Sequence, residues 1–98
     1  MTISAISYHR SDTPDAVPPL AKRMKAYWQQ RNVGYRLGRC HTGPYVGHWI
    51  VVVTYPDWAT YAQMQDGFAT DFDYQQLVTE IGQVVTCVSR ELVSDFDL

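Results

Sequence analysis

The side chains able to do chemistry are few: three imidazoles, two thiols and scattered carboxylates, in a chain that is 13% aromatic. Only His9, His41 and His48 would ordinarily trade a proton near neutral pH. His9 closes an N-terminal alternating segment beside Tyr8 and Arg10, a place from which a side chain can reach the mouth of a pocket. His48 falls on the same side of a segment as Ile50 and Val52. It is either a hydrogen-bonded residue at a strand end or a group close to a contact or cavity. His41 sits in a Gly-Pro loop and is expected in solvent. Cys40, His41, His48 and Cys87 do not have the spacing of zinc ligands, because the adjacent Cys40 and His41 would point to opposite sides of a strand. Asp66, Asp71 and Asp73 read as a solvated helix start, where negative charge suits the dipole, and not as a metal site. No GxSxG, phosphate loop, dinucleotide fingerprint or HExxH occurs.

The rings offer a second kind of chemistry. Trp28, Trp49, Trp58, Tyr55 and Tyr61 can line a slot between helices and sheet that suits a flat, apolar ligand. The competing reading is that they fill the core. Tyr and Trp carry polar tips that a dry core must satisfy, which favours the slot. Tyr8, His9, Arg36, His48, Trp49, Tyr55, Trp58 and Tyr61 are therefore the candidate pocket residues.

These groups must be positioned by a chain of 98 residues, the size of one ordinary domain spanning 1–98. It is 46% hydrophobic and 18% charged, which excludes a disordered or low-complexity chain. Eight basic against ten acidic residues leave a net charge of −2, with no basic stripe for nucleic acid or an anionic membrane. The N-terminus lacks the pattern of a signal peptide, and the longest apolar run, Trp49 to Val53, is too short to span a bilayer. Two cysteines make no disulfide framework, so a cytoplasmic protein with reduced thiols is expected.

Period-two alternation from Thr2 to Arg10 predicts a strand, with Ile3 and Ala5 on one side and Ile6 and Tyr8 on the other. Asp15 is placed to cap a helix that tolerates Pro18 and Pro19 in its first turn. Val17, Leu20, Met24, Tyr27 and Trp28 then recur at helical spacing until Asn32 and Gly34. Tyr35–Cys40 and His48–Tyr55 read as a hairpin around Gly43-Pro44. Asp57 caps a helical stretch carrying Trp58, Tyr61, Ala62 and Gln65, which weakens at Asp66-Gly67. A second helical stretch starts near Thr70, carries Tyr74, Leu77, Val78 and Ile81, and stops at Gly82. A last strand is expected from Gln83 to Val93. The order is β-α-β-β-α-β, an α+β ferredoxin-like arrangement: a four-stranded antiparallel sheet with helices on one face.

That arrangement leaves a face unprotected. Trp49, Val51, Val53 and Tyr55 point one way and Ile50 and Val52 the other, while Val84, Val88 and Leu92 oppose Val85, Cys87 and Val93. Helices cover one face only, and soluble monomers seldom leave such an apolar patch in water. Burying roughly 500 Å² per subunit is worth on the order of 12 kcal/mol before association costs. The expected cover is a second copy of the same sheet, giving a homodimer.

In its element order, in the central strand leading to an aromatic helix start (Trp49 to Trp58), and in the segment Phe72 to Ile81, the chain resembles the dimeric α/β barrel superfamily. The resemblance runs from Ile3 to Val93. It implies sheet-to-sheet pairing and points to relatives that include cofactor-free monooxygenases of aromatic polyketides, haem-degrading monooxygenases, cyclases and uncharacterised proteins. Haem-degrading relatives use a histidine on the second helical region, and residues 57–82 contain none, so no cofactor is expected. Cofactor-free oxidation needs a dry cavity, a substrate that forms an easily oxidised anion, and a base or donor such as His9, Tyr8 or Arg36. A non-catalytic ligand-binding or accessory homodimer is the alternative. RNA-binding modules share the element order, but Gly47-His48-Trp49-Ile50-Val51 lacks their basic residue and exposed aromatics.

Overall fold

Every residue from Met1 to Leu98 is described by the computed structural model. β1 (Ile3–Arg10) and β3 (Trp49–Tyr55) are the inner strands of a four-stranded sheet, with β2 (Gly34–Arg39) and β4 (Thr86–Ser94) at its edges. The order β2-β3-β1-β4 is antiparallel throughout, as a ferredoxin-like fold requires. Register pairs Ile3 with Tyr55, Ala5 with Val53 and His9 with Trp49, so these residues share one face. α1 (Val17–Gln29), α2 (Trp58–Gly67) and α3 (Phe72–Gly82) lie over that face.

Helix α1 begins at Val17, with Pro18 and Pro19 in its first turn. The expected Asp15 cap is not made. Pro14–Ala16 form a short turn of tighter helix, Asp15 lies inside it, and Ala16 leads into α1 without a side-chain cap. At the other end Asn32 takes a left-handed φ of 58°, and the Val33 N–H reaches back to the Trp28 carbonyl at 3.1 Å. This closure drops Val33 into the core at 2% exposure. Asp57 caps α2 by accepting from the Thr60 N–H at 2.7 Å. Asp71 caps α3 by accepting from the Tyr74 N–H at 3.1 Å. It therefore precedes the first turn, in which Asp73 does lie.

The last strand starts later than its composition suggests, because Val84 and Val85 donate to the Ile81 carbonyl in a turn. Its register with β1 shifts between Tyr8 and His9, where Ser89 and then Cys87 are the partners. The extra residue, Val88, is a bulge. Cys87 and Leu92 consequently share the helix-side face with His9 and Ala5, which overturns the expectation that Cys87 and Leu92 oppose each other.

The core is one cluster between α1, α3 and the sheet: Ile3, Met24, Tyr27, Trp28, Val33, Val53, Tyr55 and Leu77. It is small, since only 11 residues are buried. The molecule is a slab of 36 × 36 × 18 Å, the thickness of a sheet plus one helix layer. No helix is long and apolar enough to cross a membrane.

Candidate functional site

Helix α2 has no buried residue and stands off the sheet, whereas α1 buries five. The gap beneath α2 and α3 is a cleft of about 560 Å³, within the size range of small-molecule sites. Its floor is the helix side of the sheet: Ala5, Ser7 and His9 of β1, Val51, Val53 and Tyr55 of β3, and Tyr35 of β2. Met24 and Trp28 of α1 close one end, and Tyr61, Gln65, Phe68 and Tyr74 form the roof. Cys87, Arg90 and Leu92 of β4 line the remaining side.

The roof is a framework of rings. Phe68 stacks on Tyr74 with centroids 3.8 Å apart, and the Trp28 ring meets Phe68 and Tyr55 edge-on at 5.8 Å. Tyr61 meets Tyr55 edge-on at 5.1 Å. A polar pin holds this frame to α1. The Tyr27 hydroxyl donates to Asp71 Oδ2 at 2.6 Å, and Arg31 lies 3.6 Å over the Tyr27 ring with Nη2 3.3 Å from the same carboxylate oxygen. The hydrogen bond from Tyr27 and the cap N–H of Tyr74 hold the Asp71 carboxyl below its ordinary range.

Against these rings the floor carries one polar pair. His9 Nε2 lies 2.8 Å from Ser7 Oγ, two residues along the same strand and therefore on the same face. Ser7 is the one buried polar residue of the chain. His9 Nδ1 is buried and has no hydrogen-bond partner. Burial, and next the positive charge of Arg90, lower the His9 pKa and keep the ring neutral. Arg90 belongs to neither ion pair of the molecule, Arg23–Glu80 and Arg31–Asp71. Burial pushes the Tyr35 and Tyr55 phenols up to about 12, so they stay protonated as donors. The arrangement is an imidazole with one shielded, unpartnered nitrogen, a cation outside both ion pairs and phenolic donors around an apolar slot.

Of the candidates read from sequence, the fold brings His9, Tyr55 and Tyr61 together in the cleft. Trp49 lines a smaller apolar recess that adjoins it at His9. Tyr8, Arg36 and His48 do not line the cleft. Tyr8 and Arg36 alternate onto the helix-free face, opposite Ile50 and Val52 respectively. Tyr8 stacks on Tyr45 of the β2–β3 loop at 4.4 Å, and His48 packs edge-on against that same Tyr45. Trp58 is 51% exposed at the start of α2. Ser7, Tyr74 and Arg90 enter the site without having been singled out. Ser7 was accessible from the two-residue period shared with His9, whereas Arg90 depends on the bulge. Cys40 and Cys87 are free thiols, and no group of three or more His, Cys, Asp or Glu residues could hold a metal ion.

No protein-family model and no curated protein matches the sequence. Solved structures do match in shape. Rv0793 from Mycobacterium tuberculosis superposes with a TM-score of 0.70 at 14% identity, covering 100% of this chain and 98% of that one. A NIPSNAP domain protein from Burkholderia xenovorans gives 0.68 at 14% identity, over 95% of this chain and 90% of its own. An antibiotic biosynthesis monooxygenase gives 0.60 at 18% identity, over 99% and 97%. The chain thus shares the ferredoxin-like fold of these structures, a four-stranded antiparallel sheet with its helices on one face. At such identities the likeness concerns the fold and not the activity.

Proposed function

We propose that the protein is a sheet-paired homodimer whose protomers each bind a flat, hydroxylated aromatic molecule in the cleft and oxidise it with dioxygen, without a cofactor. The observation that carries this reading is His9, its Nδ1 unpartnered, in the floor of a slot framed by aromatic rings. A phenol or enol flanking an acidic CH₂ would stack among Tyr55, Phe68 and Tyr74. His9 takes a proton from the substrate, and the Arg90 charge stabilises the resulting anion. The anion passes an electron to dioxygen, and a C–O bond forms to give a hydroperoxide, protonated by the imidazolium. Loss of water leaves a carbonyl, so that CH₂ and O₂ become C=O and H₂O. The aromatic lining and the monooxygenase among the structural neighbours support this choice over other chemistries of the fold. A cytoplasmic setting with reduced thiols fits it.

Pairing through the helix-free face is supported by surface area. The protomer exposes 6489 Å², against about 5,700 Å² for a compact monomer of 11.2 kDa. Ile6, Ile50 and Val52 stand on the uncovered side, with Val93 at 36% exposure. A second copy of the same face covers them with matching apolar chemistry.

Oxygen uptake with a hydroxylated anthrone tests the reaction. Wild type should consume oxygen in proportion to carbonyl formed, and His9→Asn should lose at least a hundredfold in rate while still quenching tryptophan fluorescence on ligand addition. Binding without uptake would leave a non-catalytic ligand-binding dimer. Neither binding nor uptake would remove the cleft from consideration as a site for this class of molecule.

A further inference from the structure

A second, smaller cavity lies between α1 and the sheet, separated from the cleft by His9, Tyr35, Val51, Ile81 and Val85, which line both. It exists for a local reason. Helical spacing turns Val17, Leu20 and Ala21 toward the sheet, where Ala21 brings only a methyl to a wall completed by Leu37 of β2 and Val84 of the turn before β4. The space left is about 40 Å³, room for roughly three water-sized spheres. Ten of its eleven lining residues are hydrophobic, and His9 is the exception. A buried water needs two to four polar partners, so water is poorly held here and an apolar occupant is favoured.

We propose that this recess is a binding site for a small apolar gas, dioxygen, held across the His9 wall from the molecule in the cleft. The identity of the gas rests on the oxidative reading of the cleft, whereas the gas site itself does not. Dioxygen is apolar and diatomic, needs no hydrogen-bond partner, and fits a space that neither an organic substrate nor a hydrated ion could enter. His9 borders both chambers, so the residue that removes the substrate proton also stands where the oxidant leaves the recess. Oxygen held there occupies none of the ring framework that orients the substrate.

The test uses the full-length wild-type protein without substrate. Methyl resonances are compared under dioxygen and under nitrogen. Paramagnetic shifts at Val17 and Ala21, 6% and 9% exposed, should be several times those at Leu77, which is 8% exposed and lines neither cavity. Xenon introduced under pressure should occupy the same place. Uniform methyl shifts, or xenon elsewhere only, overturn the gas site whether or not the cleft oxidises anything. Localised shifts in a protein that never consumes oxygen with the anthrone would keep the gas site and defeat the oxidative reading. Where uptake is seen, Ala21→Leu should raise the apparent KM for oxygen about tenfold and leave anthrone affinity unchanged. An unchanged KM in a folded Ala21→Leu protein overturns the recess as the oxygen store.

Discussion

The two faces of the sheet are built from the same alternating strands and meet different fates. On the helix side, Ile3 is fully buried, and Val53 and Tyr55 belong both to the core and to the floor of a cleft that also carries Ser7, His9 and Arg90. On the other side, Ile6, Ile50 and Val52 carry no layer of the chain at all. The difference teaches what each face is for. A face that needed only a core would be packed flush along its length. Here the helices stop short, and polar groups that cost energy to bury stand in the gap. The bare face sets half-buried Ile6, Ile50 and Val52 among Ser4, Tyr8, Arg36, Thr54 and Glu91, a mixture of apolar and polar groups such as a surface for another protein carries.

The contrast is broken most severely on the helix side. Trp28 is 4% exposed and joins Tyr27, Tyr55, Phe68 and Tyr74 in one aromatic contact set. Trp28→Ala should cost about 3–5 kcal/mol, enough to unfold most of a domain this size at physiological temperature. Denaturant unfolding followed by circular dichroism measures it. A loss below about 1 kcal/mol would mean that the rings around Trp28 do not form a closed core.

On the bare face the corresponding break is in assembly. Ile50 lies on the inner strand β3, opposite Tyr8 and Gly38. Ile50→Lys places an unpaired charge where a second sheet is expected. Dimer dissociation should become at least about a hundredfold easier, while each chain keeps its circular dichroism spectrum. Sedimentation at micromolar concentration reads the outcome. A variant as dimeric as wild type would place the interface elsewhere, and a wild-type monomer would remove it.

How much of this was legible depends on which signals survive in one dimension. The hairpin of β2 and β3 and the helix of Val17 to Trp28 stand out because their periods are long and unbroken. The start of α1 is misread because Pro14 and Asp15 suit a cap as well as the tight turn they occupy. On β4 a bulge at Val88 flips the parity, and no residue type announces it, so the side taken by Cys87 and Arg90 is invisible before the register with β1 is known. The site divides in the same way. His9, Tyr55 and Tyr61 could be nominated by type. That Tyr8 and Arg36 face away follows from their parity with Ile6 and Val52, but which parity the helices cover is a tertiary fact.

Acid should separate the faces by a smaller margin. His9 is kept neutral in the fold, its pKa below the ordinary 6.5. The unfolded chain therefore takes up a proton first as pH falls, and folding stability drops from about neutral pH down to the folded pKa. Asp71 adds a second loss at lower pH. Its carboxyl is held below 3.8 by Tyr27 and the helix cap, so its contribution is complete above that value and fades as pH falls through the folded one. His9→Asn should flatten the first limb and Asp71→Asn the second. Melting temperature against pH gives both. Coincident curves for wild type and both variants would show that neither group is perturbed by the cleft or its pin.

The smallest effect is expected at Phe72, the first residue of α3, which is 82% exposed. A large ring in water looks like a flaw, and it tempts one to assign the helix layer an interface as well. Its setting argues otherwise. Phe72 is followed by Asp73, neighbours the Asp71 cap, and joins none of the aromatic pairs that frame the cleft. Single exposed apolar residues are common on soluble proteins. Phe72→Ser should change stability by less than about 0.5 kcal/mol and leave the sedimentation coefficient alone. A stability loss above about 1 kcal/mol that grows with protein concentration would show Phe72 buried between copies. The helix layer would then take part in assembly, and the division of labour between the two faces would fail at its simplest point.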